Sequence, residues 1–440
     1  MKKVFFNLAN GLALFAIIIA VFFTQFSDVK AAEIPSQFSD SAAAYILVDA
    51  KTGNVLAEKN SNEKLYPAST TKIMTAIVAL ENASMDKVMT ASKEAITDIG
   101  VGGMNIGIME GEQLLFEDLL NAMLIRSANE TANIIAENIC ETRDAFVELM
   151  NKKAIEIGAV NSHFVNPSGL HHPDHYTTAS DLAKIACYAM AIPEFREIVI
   201  KDTYNMPPTN KHQKWDPLPS TNKLLTYSPK SFTHVTGIKT GYTSNAGYNL
   251  VSSGIDSEGN EIIAVVLGGQ NSIQQKINSL SIDLLEYGFE NFVQTELVKA
   301  GQLIRVLHVN GSTKGAYAEL VAESTISCLM PRDSDQWQVD TNIFIDENIS
   351  APVNEGTVLG KIQYCTNGII LGETALVAAN SVEKSFKNKV SDALSSFFEN
   401  QAVKNTAITT SIIFVFFFAL RFTLRRISRK VHVKSRMEGK

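Results

Sequence analysis

The stretch Tyr66-Pro67-Ala68-Ser69-Thr70-Thr71-Lys72-Ile73-Met74-Thr75 places a lysine three residues after a serine and then enters an apolar run. The apolar residues recur at helical spacing: Ile73, Met74, Ala76, Ile77 and Leu80. This pattern predicts a helix that begins at Ser69, with Lys72 one turn on and on the same face. Free N–H groups at a helix N-terminus favour negative charge, and a lysine in apolar surroundings can lose its proton. The stretch therefore predicts an activated nucleophile, with Ser69 attacking and Lys72 as its base.

A serine three residues before a lysine is not specific by itself. The same spacing occurs at Ser27, Ser61, Ser84, Ser220 and Ser381. Ser27 lies in an apolar leader and Ser381 lies beyond the β-rich region described below, and the other three begin no apolar helix. Ser69 alone opens one, so Ser69 is the predicted nucleophile.

The first residues have the features of a secretory signal peptide. A pair of lysines precedes an apolar run over residues 4–23, and the small residues Ala31 and Ala32 follow it. This order predicts a signal peptide over residues 1–31, cleaved after Ala31 or Ala32. The run is also long enough to span a bilayer, so an uncleaved anchor is the alternative.

The last residues predict a membrane anchor. Residues 406–420 carry no charge and are rich in Ile and Phe, which predicts a transmembrane helix over residues 405–422. Residues 383–404 are expected to form a helical stalk that leads to it. Residues 423–440 are basic, and the positive-inside rule places this tail in the cytoplasm. A helix lying on the membrane surface is the alternative, but the apolar run has no polar face.

Composition narrows the class of protein. The chain has 440 residues, 45% hydrophobic and 19% charged, which is ordinary for a folded protein with room for two domains. The leader, the basic tail and Arg421 just before it account for eleven of the 39 basic residues and two of the 46 acidic ones, so the exported portion has a net charge near −16. That charge argues against a nucleic-acid partner.

The cysteines point to no metal or redox motif. Cys140, Cys187, Cys328 and Cys365 have neither zinc-type nor thioredoxin-type spacing. Export permits disulfides, and Cys328–Cys365 is one candidate pair.

The order of apolar segments predicts an α/β domain over residues 32–292. Strands are expected at both of its ends, over residues 45–48, 54–57, 235–253 and 262–267. Helical patterns fill the middle. One of them runs to Met190, with Ser180 and Asp181 expected as its cap, and a last helix is expected over residues 282–289. The expected sheet therefore joins the start of the domain to its end. Short alternating stretches between glycines follow, which predict a small all-β domain over residues 293–382.

Two more short motifs follow Ser69 in the chain. Ser127-Ala128-Asn129 lies at a break between helical patterns, where a hydroxyl and an amide can face a cleft. Lys239-Thr240-Gly241 lies on a late strand, where a cation, a hydroxyl and backbone N–H groups stand in line and glycine permits close approach. Similar tripeptides occur at Lys51-Thr52-Gly53, a predicted turn, and at Ser220-Thr221-Asn222. Order and setting distinguish the motifs at Ser127 and Lys239 from these copies. With S-x-x-K they match the S-D-N and K-T-G signature of penicillin-recognising enzymes, except that Ala128 replaces the aspartate.

From about residue 42 to residue 384 the sequence resembles the D-alanyl-D-alanine carboxypeptidases, the low-molecular-mass penicillin-binding proteins. The resemblance includes these stretches: Ala44-Tyr45-Ile46-Leu47-Val48-Asp49, Asn166-Pro167-Ser168-Gly169-Leu170, His175-Tyr176-Thr177-Thr178-Ala179-Ser180-Asp181 and Ala246-Gly247-Tyr248-Asn249-Leu250. It implies a penicillin-binding/β-lactamase-like transpeptidase domain, a sheet plus a helical subdomain, ahead of the all-β domain and the transmembrane helix.

The resemblance also implies roles for single residues. Ser69 would attack the carbonyl between two terminal D-alanines of a peptidoglycan stem peptide, with Lys72 as base. Ser127 would relay a proton, and Asn129 would hold a substrate amide. The substrate carboxylate would meet residues of the late strand and of the segment after it: Lys239, Thr240, Gly241 and Lys276. The backbone N–H groups of Ser69 and Tyr242 would form the oxyanion hole. β-Lactams would acylate the same serine.

Two departures from the family pattern stand out. Arg126-Ser127-Ala128-Asn129-Glu130 replaces the usual small, acidic surroundings of the second motif. Lys276 stands where many relatives have an arginine, and an ammonium lacks the fork that holds a carboxylate.

Neither a metal nor another cofactor is expected, because the histidines of His171-His172-Pro173-Asp174-His175 lie in a proline-broken loop. The rival functions are a β-lactamase and a catalytically silent peptidoglycan-binding protein.

Overall fold

The structure, a computed structural model, describes Phe38 and residues 41–269, 273–313, 315–333, 338–346, 348–366 and 369–437. The predicted signal peptide and its cleavage site lie outside the described residues. The chain divides into two compact units. The first holds the residues up to Leu297 together with two later segments, and the second begins at Val298.

A five-stranded antiparallel sheet forms the centre of the first unit. The strands before residue 270 are β1 (Ala44–Asp49), β2 (Val55–Lys59), β3 (Val88–Thr90), β4 (Gln113–Leu115), β5 (Thr203–Tyr204), β6 (Leu218–Pro219), β7 (His234–Thr243), β8 (Gly247–Ile255) and β9 (Glu261–Gly269). Five of them make the main sheet in the order β2-β1-β9-β8-β7, with Val48 of β1 opposite Ile263 of β9. The predicted joining of the domain's start to its end is confirmed.

Helices cover both faces of this sheet. They are α1 (Lys72–Asn82), α2 (Lys93–Thr97), α3 (Phe116–Asn121), α4 (Asn129–Ile139), α5 (Arg143–Ile157), α6 (Ala179–Met190), α7 (Pro193–Val199) and α8 (Gln274–Asn291). Successive side chains of a strand point to opposite faces, and every residue of β1 is buried. Ile46 packs in one apolar core with α1, and Leu47 packs in the other with α8.

The chain enters α1 differently from the prediction. A helix beginning at Ser69 was expected, but residues Ala68–Thr71 form a 3₁₀ turn and the α-helix begins at Lys72. Thr70 closes the turn, since its N–H and its hydroxyl both donate to the carbonyl of Pro67, at 3.3 and 2.8 Å. The first eight residues of α1 are buried, as their apolar spacing predicts.

Three other boundaries differ from the predictions. The stretch 235–253 is two strands, β7 and β8, because a short turn over residues 244–246 divides it. The hydroxyl of Thr178 caps α6 by accepting from the N–H of Asp181, so Thr178 precedes the helix and Ser180 lies inside it. α8 begins at Gln274, two turns before the predicted start, because its first residues are exposed and carry no apolar signal.

The later part of the chain is rich in strands, as predicted. They are β10 (Phe292–Val298), β11 (Leu303–His308), β12 (Tyr317–Ala322), β13 (Ile326–Pro331), β14 (Asp340–Ile345), β15 (Val358–Thr366) and β16 (Ile369–Ala378). Five form a sheet in the order β11-β12-β16-β15-β14, and β10 pairs with β13. All four cysteines are free thiols, so the candidate Cys328–Cys365 disulfide is absent; the two residues lie on strands of different sheets.

Two helices close the described chain, α9 (Phe386–Glu399) and α10 (Gln401–Met437). They correspond to the predicted stalk and transmembrane helix, with a break at Asn400. In the described part of the chain, one helical stretch, Gln401–Arg426, is long and apolar enough to cross a membrane. The apolar side chains of this stretch are exposed, as a lipid-facing surface requires.

Candidate active site

Ser69 lies in the 3₁₀ turn Ala68–Thr71, half-buried beside a cleft. Ala68 has φ +50°, a left-handed conformation that residues other than glycine rarely adopt. Two glycines bring backbone against this turn. A Cβ on Gly169 would lie 2.0 Å from the carbonyl oxygen of Ala68, and one on Gly241 would lie 2.9 Å from that of Pro67. The surrounding chain therefore holds a strained turn that presents Ser69 to the cleft.

Lys72 is fully buried one turn beyond Ser69. Its Nζ lies 3.0 Å from Ser69 Oγ, 2.7 Å from Asn129 Oδ1 and 2.6 Å from the carbonyl oxygen of Ser168. The predicted contact between nucleophile and base is therefore present. The carbonyl of Ser168 was not expected, and it fixes the ammonium or amine from a third side.

Burial and a second buried cation act on Lys72. Burial lowers the pKa of Lys72 well below its usual range, and the positive charge of Lys239 lowers it further, while Glu130 raises it. Burial also lowers the pKa of Lys239, from 10.5 to about 7. Both lysines are 1% exposed or less. Each lysine is therefore much easier to deprotonate near neutral pH than a surface lysine.

Ser127 and Asn129 lie where the chain turns from α3 into α4. A π-helical turn over Ala122–Arg126 ends at Ser127, whose φ is +67°, and α4 begins at Asn129. Both residues are buried and line the cleft. The amide of Asn129 accepts from Lys72 and donates to the carbonyl of Ile99 at 2.9 Å. The predicted break between helices is confirmed, and Ala128 at its centre is fully buried.

Strand β7 forms the opposite wall. Lys239 Nζ donates to the carbonyl of Thr240 at 3.1 Å, behind the cleft surface. The hydroxyl of Thr240 lies 2.7 Å from that of Thr221, and both threonines line the cleft. Thr221 belongs to Ser220-Thr221-Asn222, which resembles the second motif only by chance. It is nevertheless a residue of the site.

The cleft has a volume of about 640 Å³ and an almost uncharged surface. Its lining residues include Met104, Leu170, His171, Tyr242 and Asn278 with Ser69, Ser127, Asn129, Thr221, Thr240 and Gly241. α8 contributes Gln274, Ile277 and Asn278 to this lining, whereas Lys276 is exposed outside it. The expectation that Lys276 meets the substrate carboxylate therefore has no support from its position. Among the described residues, no group of three or more His, Cys, Asp or Glu is placed to hold a metal ion.

Several residues that position the site were not predicted as such. The side chain of Asn249 on β8 donates to the carbonyls of Tyr66 and Pro67, at 2.8 and 3.0 Å, which ties the Ser69 turn to the sheet. Asn166 Oδ1 accepts from the N–H groups of Gly169 and Leu170, at 2.8 and 3.0 Å, and so shapes the loop whose carbonyl meets Lys72. Both lie in stretches that carry the family resemblance, which was the available signal.

His175 has a structural position rather than a metal-binding one. Its Nε2 lies 2.9 Å from the hydroxyl of Thr71, and its Nδ1 accepts from the N–H of Val165 at 3.4 Å. Burial lowers the pKa of His175 to about 3, so the ring is neutral under ordinary conditions.

Comparison with known sequences identifies the family to which a chain with this cleft belongs. The sequence profile of D-alanyl-D-alanine carboxypeptidases matches residues 29–271, which is more than half of the chain. The chain belongs to the D-alanyl-D-alanine carboxypeptidase family. The profile of the C-terminal domain of penicillin-binding protein 5 matches residues 292–384 of this carboxypeptidase. It is a serine-type hydrolase with the predicted two-part fold.

Relatives match most of the carboxypeptidase. D-alanyl-D-alanine carboxypeptidase DacF of Bacillus subtilis is 32% identical over 353 residues, which cover 79% of this chain and 88% of DacF. DacC of Escherichia coli is 30% identical, with 86% and 93% covered. The structure of penicillin-binding protein 5 from Haemophilus influenzae is 28% identical and superposes with a TM-score of 0.64, covering 78% of this chain and 98% of that one.

Proposed function

We propose that this carboxypeptidase removes the terminal D-alanine from peptidoglycan stem peptides through an acyl-enzyme on Ser69. The observation that carries the proposal is the contact between Lys72 and Ser69, at 3.0 Å, in a buried site with a second buried lysine. This pairing activates a hydroxyl for attack on a carbonyl.

The contacts of Lys72 can accommodate a neutral amine that faces the nucleophile, the form that the proposed step requires. A neutral amine has two N–H groups and one lone pair, whereas an ammonium has three N–H groups. Asn129 Oδ1 and the carbonyl of Ser168 can only accept, and they lie closest to Nζ, at 2.7 and 2.6 Å. Two N–H groups are thereby used, which leaves the lone pair for the hydroxyl proton of Ser69. The hydroxyl oxygen can then attack the carbonyl between the two D-alanines.

The leaving D-alanine needs a proton on its amine and a site for its carboxylate. Ser127 borders the cleft next to Asn129, where a hydroxyl can pass a proton from Lys72 to the leaving nitrogen. The paired hydroxyls of Thr221 and Thr240 stand at the β7 wall with Lys239 behind them. We assign the carboxylate to this wall, since hydroxyl donors near a buried cation suit an anion. Gly241 keeps the strand backbone open to the peptide.

The remaining steps use backbone groups and water. The N–H groups of Ser69 and Tyr242 are assigned to the oxyanion of the tetrahedral intermediate. Water then attacks the acyl-enzyme with Lys72 again as base, which releases the shortened peptide and restores the Ser69 hydroxyl. β-Lactams, which carry a strained amide, would acylate Ser69 in the same way and hydrolyse slowly.

The two ends of the chain support an envelope location. An exported catalytic domain would be held at the outer face of the membrane by the apolar helix Gln401–Arg426, with the basic tail after it in the cytoplasm. Signal-peptide removal after Ala31 or Ala32, the catalytic domain over residues 32–292 and the β-rich domain over residues 293–382 complete this proposed organisation. The test uses the intact protein in membrane vesicles that keep the orientation of the cell. A protease added outside should remove the catalytic and β-rich domains and leave the basic tail protected.

A fluorescent penicillin tests the proposed function. The purified protein is expected to form a covalent adduct, and Ser69→Ala is expected to form none. The protein should also release D-alanine from a stem pentapeptide. Absence of a Ser69-dependent adduct would overturn the assignment, and rapid turnover of the drug without D-alanine release would instead show a β-lactamase. An adduct without any D-alanine release would show that the serine is acylated but that the protein is not a carboxypeptidase.

A further inference from the structure

The first turn of α4 holds a segment that forms one wall of the cleft. The backbone N–H of Asn129 donates to the carbonyl of Met104 at 2.7 Å, and its side chain donates to that of Ile99 at 2.9 Å. The next residue, Glu130, accepts from the N–H of Ile106 through Oε1 at 2.6 Å. Residues 99–106 are thus bonded to α4 at three points. Met104 and the glycines before it line the cleft.

A buried glutamate such as Glu130 is an unusual residue for attaching the segment 99–106 to α4. It is 1% exposed, and its Oε2 atom is buried without a hydrogen-bond partner among the described residues. An incompletely bonded buried carboxylate destabilises the fold. A glutamine could accept the same bond from Ile106 without a charge. The presence of a carboxylate therefore indicates that its charge matters.

The cation that acts on Glu130 is Lys72 of the candidate active site. Burial raises the pKa of Glu130, whereas the hydrogen bond from Ile106 and the charge of Lys72 lower it. Lys72 and Lys239 are both buried, and their charges repel one another. Glu130 on α4 is the acidic group that acts on Lys72, and it opposes the effect of Lys239 on β7. His175, on the loop that packs against α1, is buried and neutral and adds no charge. The electrostatic effects of Lys239 and Glu130 on the pKa of Lys72 are therefore opposite in sign.

We propose that Glu130 is a positioning residue of this carboxypeptidase with two separable effects. Its bond to Ile106 fixes residues 99–106 as the cleft wall, and its negative charge keeps the proton affinity of Lys72 high enough to accept the Ser69 proton. The proposal rests on Lys72 being the base for Ser69. The first effect does not require the charge, whereas the second requires an ionised Glu130, which the bond from Ile106 favours.

Glu130→Gln separates these effects, and Asp181→Asn is its matched control. Asp181 is also a buried carboxylate in the first turn of a helix, and its Oδ2 also accepts from a backbone N–H at 2.6 Å, that of Asn161. It lies outside the cleft lining. Both variants lose one buried negative charge, so a general loss of stability affects both.

The test measures the rate of acylation by a fluorescent penicillin as a function of pH, with the full chain. Removing a negative charge lowers the pKa of Lys72, so the base is neutral at lower pH. Glu130→Gln should therefore move the acidic limb of the profile to lower pH by about half a unit or more, with the KM for a stem pentapeptide nearly unchanged. Asp181→Asn should keep the wild-type limb. Identical profiles for both variants would overturn the proposal.

Ile106→Pro tests the first effect and protects the experiment against a Glu130→Gln variant that fails to fold. Proline has no N–H, so the bond to Glu130 is lost while the carboxyl group stays. The expected result is a severalfold higher KM, with the acidic limb moved less than in Glu130→Gln. An unchanged KM would overturn the role of the bond. Wild-type protein that forms no adduct at all would instead refute the proposed function itself.

Discussion

The sequence Lys-Thr-Gly occurs twice in this chain, and the two copies have little else in common. Lys51-Thr52-Gly53 forms the turn between β1 and β2, where Lys51 and Gly53 are exposed and a Cβ on Gly53 would meet nothing within 4 Å. Lys239-Thr240-Gly241 lies on β7, where Lys239 is 1% exposed and a Cβ on Gly241 would collide with the Ser69 turn. The same three residues cap a hairpin in one place and form the wall of an active site in the other.

The difference lies in what surrounds each copy. In the turn, the three residues interact with their own neighbours, since Thr52 Oγ1 donates to Asp49 Oδ2 at 2.7 Å. On β7, they face the 3₁₀ turn that holds Ser69 and the segment before β7, which lie elsewhere in the sequence. Whether this tripeptide can take part in catalysis therefore depends on its burial and on the residues that it contacts.

Replacing each lysine by glutamine should give the largest difference in activity between the two copies. Lys239→Gln is expected to lower kcat/KM for D-alanine release by about 10³-fold, because a buried cation at the substrate wall is lost. Lys51→Gln should leave kcat/KM within about twofold, as for most exposed positions. Steady-state kinetics on a stem pentapeptide measure both. Equal losses of kcat/KM in the two variants would show that a lysine on β7 matters no more for D-alanine release than a lysine in the turn.

The same two lysine variants should differ in the pH dependence of stability. The pKa of Lys239 is about 7 in the folded protein, against 10.5 for an ordinary lysine. Between these values the unfolded chain binds the extra proton, so the free energy of unfolding should rise as pH increases from about 7 toward 10.5. Below pH 7 the lysine is charged in both states, and this contribution to the slope disappears. Denaturant titrations of Lys239→Gln should show a shallower rise than wild type, whereas Lys51→Gln should match wild type.

The glycines should give the next contrast. Gly241→Ala places a Cβ 2.9 Å from the carbonyl oxygen of Pro67 and 3.1 Å from the backbone nitrogen of Ser69. The turn must shift, and kcat/KM should fall by about 10²-fold. Gly53 has φ +73° with open space around it, so Gly53→Ala should cost about 1–2 kcal/mol of stability and no activity. Kinetics together with thermal melting separate the two results, and a fully active Gly241→Ala would contradict this account.

The threonines should give the smallest contrast. Thr240→Val removes one of the two hydroxyls at the β7 wall, and the KM for the pentapeptide should rise by about tenfold. Thr52→Val loses the bond to Asp49 and should lower stability by about 1 kcal/mol with KM unchanged. Thr221→Val provides a check, because it removes the other hydroxyl of the pair and should resemble Thr240→Val. A normal KM in both β7-wall variants would place the carboxylate elsewhere.

Local apolar patterns were sufficient to predict much of the fold. The spacing after Lys72 located α1, and the β-branched runs located β1 and β9, because each pattern reflects burial on one side or both. The start of α1 was not predictable in this way. It depends on Gly169 and Gly241, which approach the turn from distant parts of the chain.

The site was predictable where a motif and its setting coincided. Ser69, Lys72 and Asn129 meet within hydrogen-bond distance, as their order and positions suggested. Thr221 was set aside because its tripeptide looked accidental, and only the tertiary fold brings it to Thr240. The exposed position of Lys276 could not be read from the sequence, since it depends on where α8 begins.

The pairing of β1 with β9 has a consequence for how this enzyme becomes competent. The proposed nucleophile, Ser69, belongs to the first third of the domain, whereas the wall that completes its cleft, β7, enters the sheet only through β8 and β9. Contacts between such distant segments form late in folding, because a long loop must close first. A cleft with both of its walls therefore requires β9 to pair with β1, although none of the described residues that line the cleft belongs to β9.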